Sequence, residues 1–170
     1  SNAALPTRLY SHNVDVDAIN LTQVNKLETT GRQYIMRSHG RKDLVETVKR
    51  GCLAPEILMV KVGAVVMFIK NNFEKGYVNG TLGKVVDFDE SEHPVVEAFN
   101  GKMLIAAPET WSIEEGGKRI AAVTQIPLRL AWAMTIHKSQ GMTLDAAEID
   151  LTGAFERGMG YVALSRVRSL

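Results

Sequence analysis

The nine residues from Thr135 to Thr143, TIHKSQGMT, gather two threonine hydroxyls, a serine, an imidazole, an ammonium, a primary amide and a glycine. That set suits oxygen-rich anions. Short hydroxyls and backbone amides reach sugar-phosphate oxygens and hold a strand without reading its bases, and Gly141 allows a backbone amide to approach a ligand with no Cβ in the way. Lys138-Ser139 is not a phosphate loop, because the glycine follows the lysine instead of preceding it at Gly-x-x-x-x-Gly-Lys-Ser/Thr spacing. Taken alone, the stretch reads equally as a polar helix end closed by a glycine. A second group stands further on, in YVALSRVRS. Arg166 on a helix could be aimed at a transferring phosphoryl group as an arginine finger is. Alone it is also what the last turn of a helix favours, a cation near the negative end of the dipole.

Two other places tempt and fail. GTLGKVV contains Gly83-Lys84, but Val85 follows, so no hydroxyl is offered to magnesium, and the stretch falls among strands with no helix N-terminus to meet a phosphate. EGGKRI fails in the same way. No strand ends in paired carboxylates, and no Cys/His cluster has zinc spacing. The chain by itself is therefore not expected to hydrolyse ATP or to hold a metal. Cys52 is the one cysteine, which excludes an internal disulfide framework and points to a reducing compartment. No signal peptide and no apolar run of membrane length is present, so the expected location is cytoplasmic or nucleoid-associated, without membrane contact. Ser1-Asn2-Ala3 reads as a tag remnant and is set aside.

Net charge is +1, and its distribution says more than its size. Residues 1–75 carry 11 basic and 7 acidic side chains, residues 76–115 carry 2 and 8, and residues 116–170 carry 7 and 4. Two basic ends flank an acidic middle, and an anion could use the ends if they meet in space.

The elements that must position these groups fall into three stretches. Near the start, Leu9-Tyr10 is β-like, Asn13 is a good helix cap with Asp15 and Asp17 in the first turn, and Val14, Ala18, Leu21 and Val24 recur at helical spacing. This predicts strand, turn, helix. GRQYIMRSHGRK could hold a short strand, and KDLVETVKR a short helix ended by Gly51, with Pro55 limiting regular structure beyond it. From Lys61 the chain turns β-rich: VGAVVMFIKN, a strand after Asn79-Gly80, a hairpin around Asn100-Gly101, and KRIAAVTQIPL. Several short strands with turns every 8–12 residues suggest a small β-barrel. After Pro127 the spacing of Leu130, Ala133 and Met134, with Trp132 flanking, predicts a helix ending near Gly141. LDAAEIDL then reads as a short strand, and Tyr161, Leu164 and Val167 share a second helical face. The expected architecture is α/β, with a β-module over residues 61–124 inserted between 4–60 and 125–170.

In company, these segments say more. QIPLRLAWAMTIHKSQGMTLD (residues 125–145) followed by GMGYVALSRVRSL (158–170) resembles motifs V and VI of superfamily 1B DNA helicases of the Pif/RecD type. LYSHNVDVDAIN (9–20) resembles the opening of that family's second motor domain. LMVKVGAVVMFIKNNFEKGYVNGTLGKVVDF (58–88) resembles the stretch leading into its SH3-like insertion. The matches cover most of the chain in the family's order, and residues 27–56 match loosely.

The resemblance implies a RecA-like second motor domain, P-loop NTPase-like in fold, with an inserted SH3-like β-barrel. Nucleotide would lie in the cleft against an N-terminal RecA-like domain that carries the P-loop and the magnesium ligands. By match to motif VI, Arg166 would be the catalytic arginine at the γ-phosphate. By match to motif V, Gln140 and Gly141 would lie beside the nucleotide, and Thr135, His137, Lys138 and Ser139 beside single-stranded DNA. Arg8 and Asn13 are further candidates for nucleotide contact, though a solvated strand end and a helix cap explain them as well. The parent enzyme would use ATP and Mg2+ to move 5′ to 3′ on single-stranded DNA. The rivals are a non-catalytic protein- or nucleic-acid-binding module on a degenerate helicase scaffold, and a fusion with a nuclease or relaxase. A phosphate loop upstream in the parent reading frame would favour the helicase.

Overall fold

The computed structural model describes residues 7–10, 15–135 and 148–149. Strand β1 (Arg8–Tyr10) leads to helix α1 (Val16–Lys26), in the expected order. The cap is Asp15, not Asn13, which lies outside the described residues: the Asp15 carboxylate accepts the Ala18 N–H at 3.0 Å. The buried face is also displaced. Val16, Asn20 and Val24 point inward at i, i+4, i+8, while Leu21, expected in the core, is 53% exposed. An amide replaces a leucine on the inner face because it meets backbone groups that need partners.

Strands β2 (Gly31–Ile35) and β3 (Arg37–Gly40) precede helix α2 (Lys42–Gly51) and strand β4 (Ile57–Lys61). Helix α2 ends at Gly51 as expected, with Asp43 in its first turn and Lys49 and Arg50 in its last, the arrangement the helix dipole favours. Strand β2 pairs antiparallel with β4, from Gly31↔Lys61 to Ile35↔Ile57.

The β-rich middle comprises β5 (Val65–Phe68), β6 (Leu82–Phe88), β7 (Pro94–Ala98), β8 (Met103–Ile105), β9 (Glu109–Glu115) and β10 (Lys118–Gln125). They are followed by β11 (Leu128–Leu130), β12 (Ala133–Thr135) and β13 (Glu148–Ile149). A five-stranded antiparallel sheet runs in the order β11-β5-β6-β7-β8, and a three-stranded one runs β3-β10-β9. Among the described residues the five-stranded sheet keeps β11 and β8 as free ends, so the small barrel expected from the turn spacing stands as an open sheet. The pairing also runs across the bounds expected at 60/61 and 124/125, since β10 pairs with β3 and β11 with β5.

Strand β5 is buried on both faces, which its unbroken apolar run requires. Val66 and Phe68 enter a core with Leu58, Val60, Tyr77, Val85, Val96 and Leu128, where Phe68 and Tyr77 stack with ring centroids 4.0 Å apart. Val65 and Met67 enter a second core with Leu9, Leu82, Ala131 and Met134. A third joins α2 to the β3-β10-β9 sheet through Val45, Val48, Ala121 and Val123.

Both tempting Gly-Lys pairs have structural roles. Gly83 lies in β6, where a Cβ would stand 2.6 Å from Val96 Cγ1 and 2.7 Å from the Glu97 carbonyl oxygen. Gly116 and Gly117 form the β9–β10 turn with φ of 58° and 77°.

The helix expected from Leu130 to Gly141 is not formed in its described part. Leu128–Leu130 and Ala133–Thr135 are two short strands joined through Ala131-Trp132. The two strands belong to different sheets, and the turn between them brings Leu130, Ala133 and Met134 to a spacing that imitates a helix. Strand pairing outweighs the helical propensity of Leu, Ala and Met here.

Candidate functional site at the parallel sheet edge

Strands β12, β1 and β13 form a parallel sheet with β1 in the middle. The register is Leu9↔Met134 and Tyr10↔Thr135 on one side, and Leu9↔Ile149 on the other. Leu9 is fully buried at the centre of this sheet. The carboxyl ends of the three strands, Tyr10, Thr135 and Ile149, therefore share one edge. In open parallel sheets ligands gather at that edge, where the loops leave the strands. The TIHKSQGMT segment begins there with Thr135.

Several contacts set the position of β12. The Arg8 N–H donates to the Trp132 carbonyl at 3.0 Å, and the Ala131 N–H to the Val65 carbonyl at 2.8 Å, so the turn between β11 and β12 is tied to β1 and to β5. Asn20, 5% exposed, lies against the same turn. Its amide nitrogen donates to the carbonyls of Leu130 at 3.3 Å and Ala133 at 2.8 Å, and its oxygen accepts the Ala133 N–H at 2.9 Å. Arg129 donates to the Leu53 carbonyl and pairs with Asp17 at 3.2 Å, which ties β11 to the first turn of α1. Gln125, 3% exposed, performs a comparable task before β11, donating to the Pro55 carbonyl at 2.9 Å while its oxygen accepts the Ile126 N–H at 2.9 Å.

Of the residues matched to motifs V and VI, the structure describes only the backbone of Thr135, at the end of a strand and not on the last turn of a helix. His137, Lys138, Ser139, Gln140, Gly141 and Arg166 lie outside the described residues. Arg8 is exposed on β1, beside Ala133 and Glu148 in register. Among the described residues no three His, Cys, Asp or Glu side chains gather as a metal site, and no helix is long and apolar enough to cross a membrane. Sequence reasoning missed Asn20 and Arg129. A polar residue midway between Val16 and Val24 on one helical face was the available signal for the first.

A second concavity, about 330 Å³, lies between β2 and the β6–β7 turn and is lined by Arg32, Tyr34, Arg37, Glu92, His93 and Thr124 among others. Burial pushes the Tyr34 hydroxyl up to about 12, against the opposing pull of the Arg32 cation and with smaller raising contributions from Glu92 and Asp89. That hydroxyl donates to the Glu92 carbonyl. Glu92 adopts φ 64°, a left-handed conformation that non-glycine residues adopt infrequently. Arg32 pairs with Glu92 at 3.5 Å and lies over the Phe88 ring.

Comparison with known proteins matches residues 43–88 to the family model described as DNA helicase Pif1, 2B domain. An ATP-dependent DNA helicase Pif1 of Psychrobacter sp. (strain PRwf-1) is 41% identical over 96% of this chain and 33% of its own length. A crystal structure of Bacteroides sp Pif1 in complex with ADP-AlF4 superposes with a TM-score of 0.79 at 33% identity, covering 99% of this chain and 39% of that one. A crystal structure of Bacteroides Pif1 bound to ssDNA gives a TM-score of 0.67 at 33% identity over 96% of this chain and 38% of that one. The chain spans between 26% and 39% of the length of the curated relatives it matches.

Proposed function

The chain belongs to the Pif1-type superfamily 1B helicases, and from that footing we propose that it is the second motor domain, with an SH3-like insertion, of an ATP-dependent 5′-to-3′ DNA helicase. The observation that carries this reading is the parallel β12-β1-β13 edge. It puts Thr135, the first residue of the anion-suited segment, at the carboxyl end of a strand beside the strand that opens the chain. A RecA-like domain uses that edge for ligand, by the general rule for parallel sheets.

In this reading Thr135, His137, Lys138 and Ser139 hold the sugar-phosphate backbone of single-stranded DNA through hydroxyls and charge, without sequence preference. Gln140 and Gly141 lie beside the nucleotide. Arg166 places a guanidinium at the γ-phosphate, where a fixed positive charge is stronger in a dry cleft than in water. Bound ATP supplies the phosphoryl group to be transferred, and the Mg2+ ligands belong to the N-terminal RecA-like domain of the same parent. DNA and nucleotide groups separated by so few residues would move together when the two motor domains close.

The test uses the full parent helicase. Arg166→Ala should lower DNA-stimulated ATP turnover by about a thousandfold or more and abolish strand displacement, with DNA binding retained. Little loss on that change overturns the assignment. The 170-residue chain alone should turn over no ATP. Turnover by the purified chain that survives Arg166→Ala would overturn the reading as well.

A further inference from the structure

The turn at Ala131-Trp132 is a joint between two sheets. On one side β11 is the edge of the five-stranded antiparallel sheet, and on the other β12 is the edge of the parallel sheet that carries Thr135. Two residues are too few to fix the angle between sheets by themselves, and of the residues flanking the turn Ala133 is buried and Leu130 partly so. Their partner comes from α1. Both N–H groups of the Asn20 amide donate, one to Leu130 on β11 and one to Ala133 on β12, and its oxygen takes the Ala133 N–H.

We propose that Asn20 is a positioning residue for ligand binding, which holds β11 and β12 to α1 at once and so sets where Thr135 leaves the carboxyl edge. The inference rests on the reading of that edge as the DNA-binding side. The geometry is specific to asparagine. Aspartate offers no donor when charged, leucine has the same branching but neither donor nor acceptor, and glutamine places its amide one bond too far out. The polar groups that an apolar residue would strand are main-chain ones, so the strands must shift or leave buried groups unpaired. A shift of β12 displaces Thr135 directly, since only Met134 lies between it and Ala133.

The experiment uses the full parent helicase with oligo(dT) as the single-stranded probe. ATP turnover is measured against oligo(dT) concentration for wild type, Asn20→Leu, Asn20→Asp and Val24→Ala. Val24 is fully buried on the same helix face and makes none of these hydrogen bonds, so its truncation loosens α1 without freeing the joint. Asn20→Leu should raise the half-saturating oligo(dT) concentration by about tenfold, the size of one lost buried polar partnership. Val24→Ala, at an equal or larger drop in melting temperature, should leave half-saturation within about twofold. Asn20→Asp adds a pH readout. Among carbonyl oxygens its carboxyl takes up a proton readily, and the protonated form again has one donor and one acceptor. Relative to wild type, its half-saturation should recover between pH 8 and pH 6. The charged groups near this position, Arg129 and Asp17, pair with each other and are common to both proteins.

The inference is overturned if Asn20→Leu binds oligo(dT) like wild type, if Val24→Ala matches its loss, or if Asn20→Asp shows no recovery at low pH. If wild-type parent shows no oligo(dT)-stimulated turnover, the reading of the edge falls and takes the inference with it. That outcome is separable from the others by the wild-type curve alone.

Discussion

Replacing Gly83 by alanine separates the two roles that a Gly-Lys pair can have. Gly83 sits in β6 opposite Ala98 of β7, and a Cβ there would come within 2.6 Å of Val96 Cγ1, 2.7 Å of the Glu97 oxygen and 3.1 Å of Ala98 Cα. Val96 is fully buried, and the other two atoms are backbone, so none of the three can yield as a flexible side chain would. Overpacking of this kind costs about 1–3 kcal/mol. For a protein of this length each kcal/mol moves the melting temperature by about 2–4 °C, so Gly83→Ala should melt about 2–12 °C below wild type. Circular dichroism of the chain on heating measures this, with Gly51→Ala as control. Gly51 ends α2, and a Cβ there meets nothing within 4 Å, so that change should be neutral or slightly stabilising. In the parent enzyme, Gly83→Ala should leave the KM for ATP unchanged at temperatures where it is folded. A variant that melts with wild type but has lost ATP binding would refute the reasoning and return Gly83-Lys84 to phosphate chemistry.

Two more outcomes follow from the cores and the titratable groups. Phe68→Ala empties a fully buried site against Tyr77 and should cost about 3–5 kcal/mol, read as an earlier midpoint in urea. The hydroxyls of Tyr34 and Tyr77 are both held above their ordinary value, chiefly by burial, and Tyr77 also by its hydrogen bond to Glu109. A raised value means that the folded state keeps the proton longer than the unfolded chain. The stability this gives is complete below about pH 10 and is lost as pH rises toward and past 12. Denaturation midpoints taken from pH 9 to pH 12 should therefore fall, and the Tyr34→Phe, Tyr77→Phe double variant should fall less steeply. Equal slopes would contradict this account.

Local signals in the sequence are borne out where the chain answers to its neighbours along the backbone. The β1–α1 opening, the end of α2 at Gly51, the β7–β8 hairpin at Asn100-Gly101 and the fully apolar β5 all follow from turn chemistry and patterning. What escaped depends on distant partners. Residues 128–135 are strands because β5 and β1 pair with them, and nothing within the octapeptide says so. The inner face of α1 includes Asn20 because the turn at Ala131-Trp132 offers it three bonds from more than a hundred residues away. Strand β3, exposed along its length, is recruited by β10 far downstream. The candidate site was legible as a segment, TIHKSQGMT, and its geometry is described only at Thr135. That one position gives the sheet edge, which periodicity alone had assigned to a helix.

The two-faced burial of β5 has a consequence for how the chain finds its fold. Its even-numbered residues, Val66 and Phe68, belong to one core, and its odd-numbered residues, Val65 and Met67, to another. A slip of one residue against β6 or β11 would exchange the two sets, putting the phenylalanine where a valine or methionine fits and the reverse. Strands with one wet face detect such an error once, by exposing apolar surface. Here a slipped β5 stays dry on both sides, so hydrophobicity cannot report the mistake. Shape must do so, in two cores at the same time, and the Phe68–Tyr77 stack and the narrow gap at Gly83 work as a parity check on the pairing.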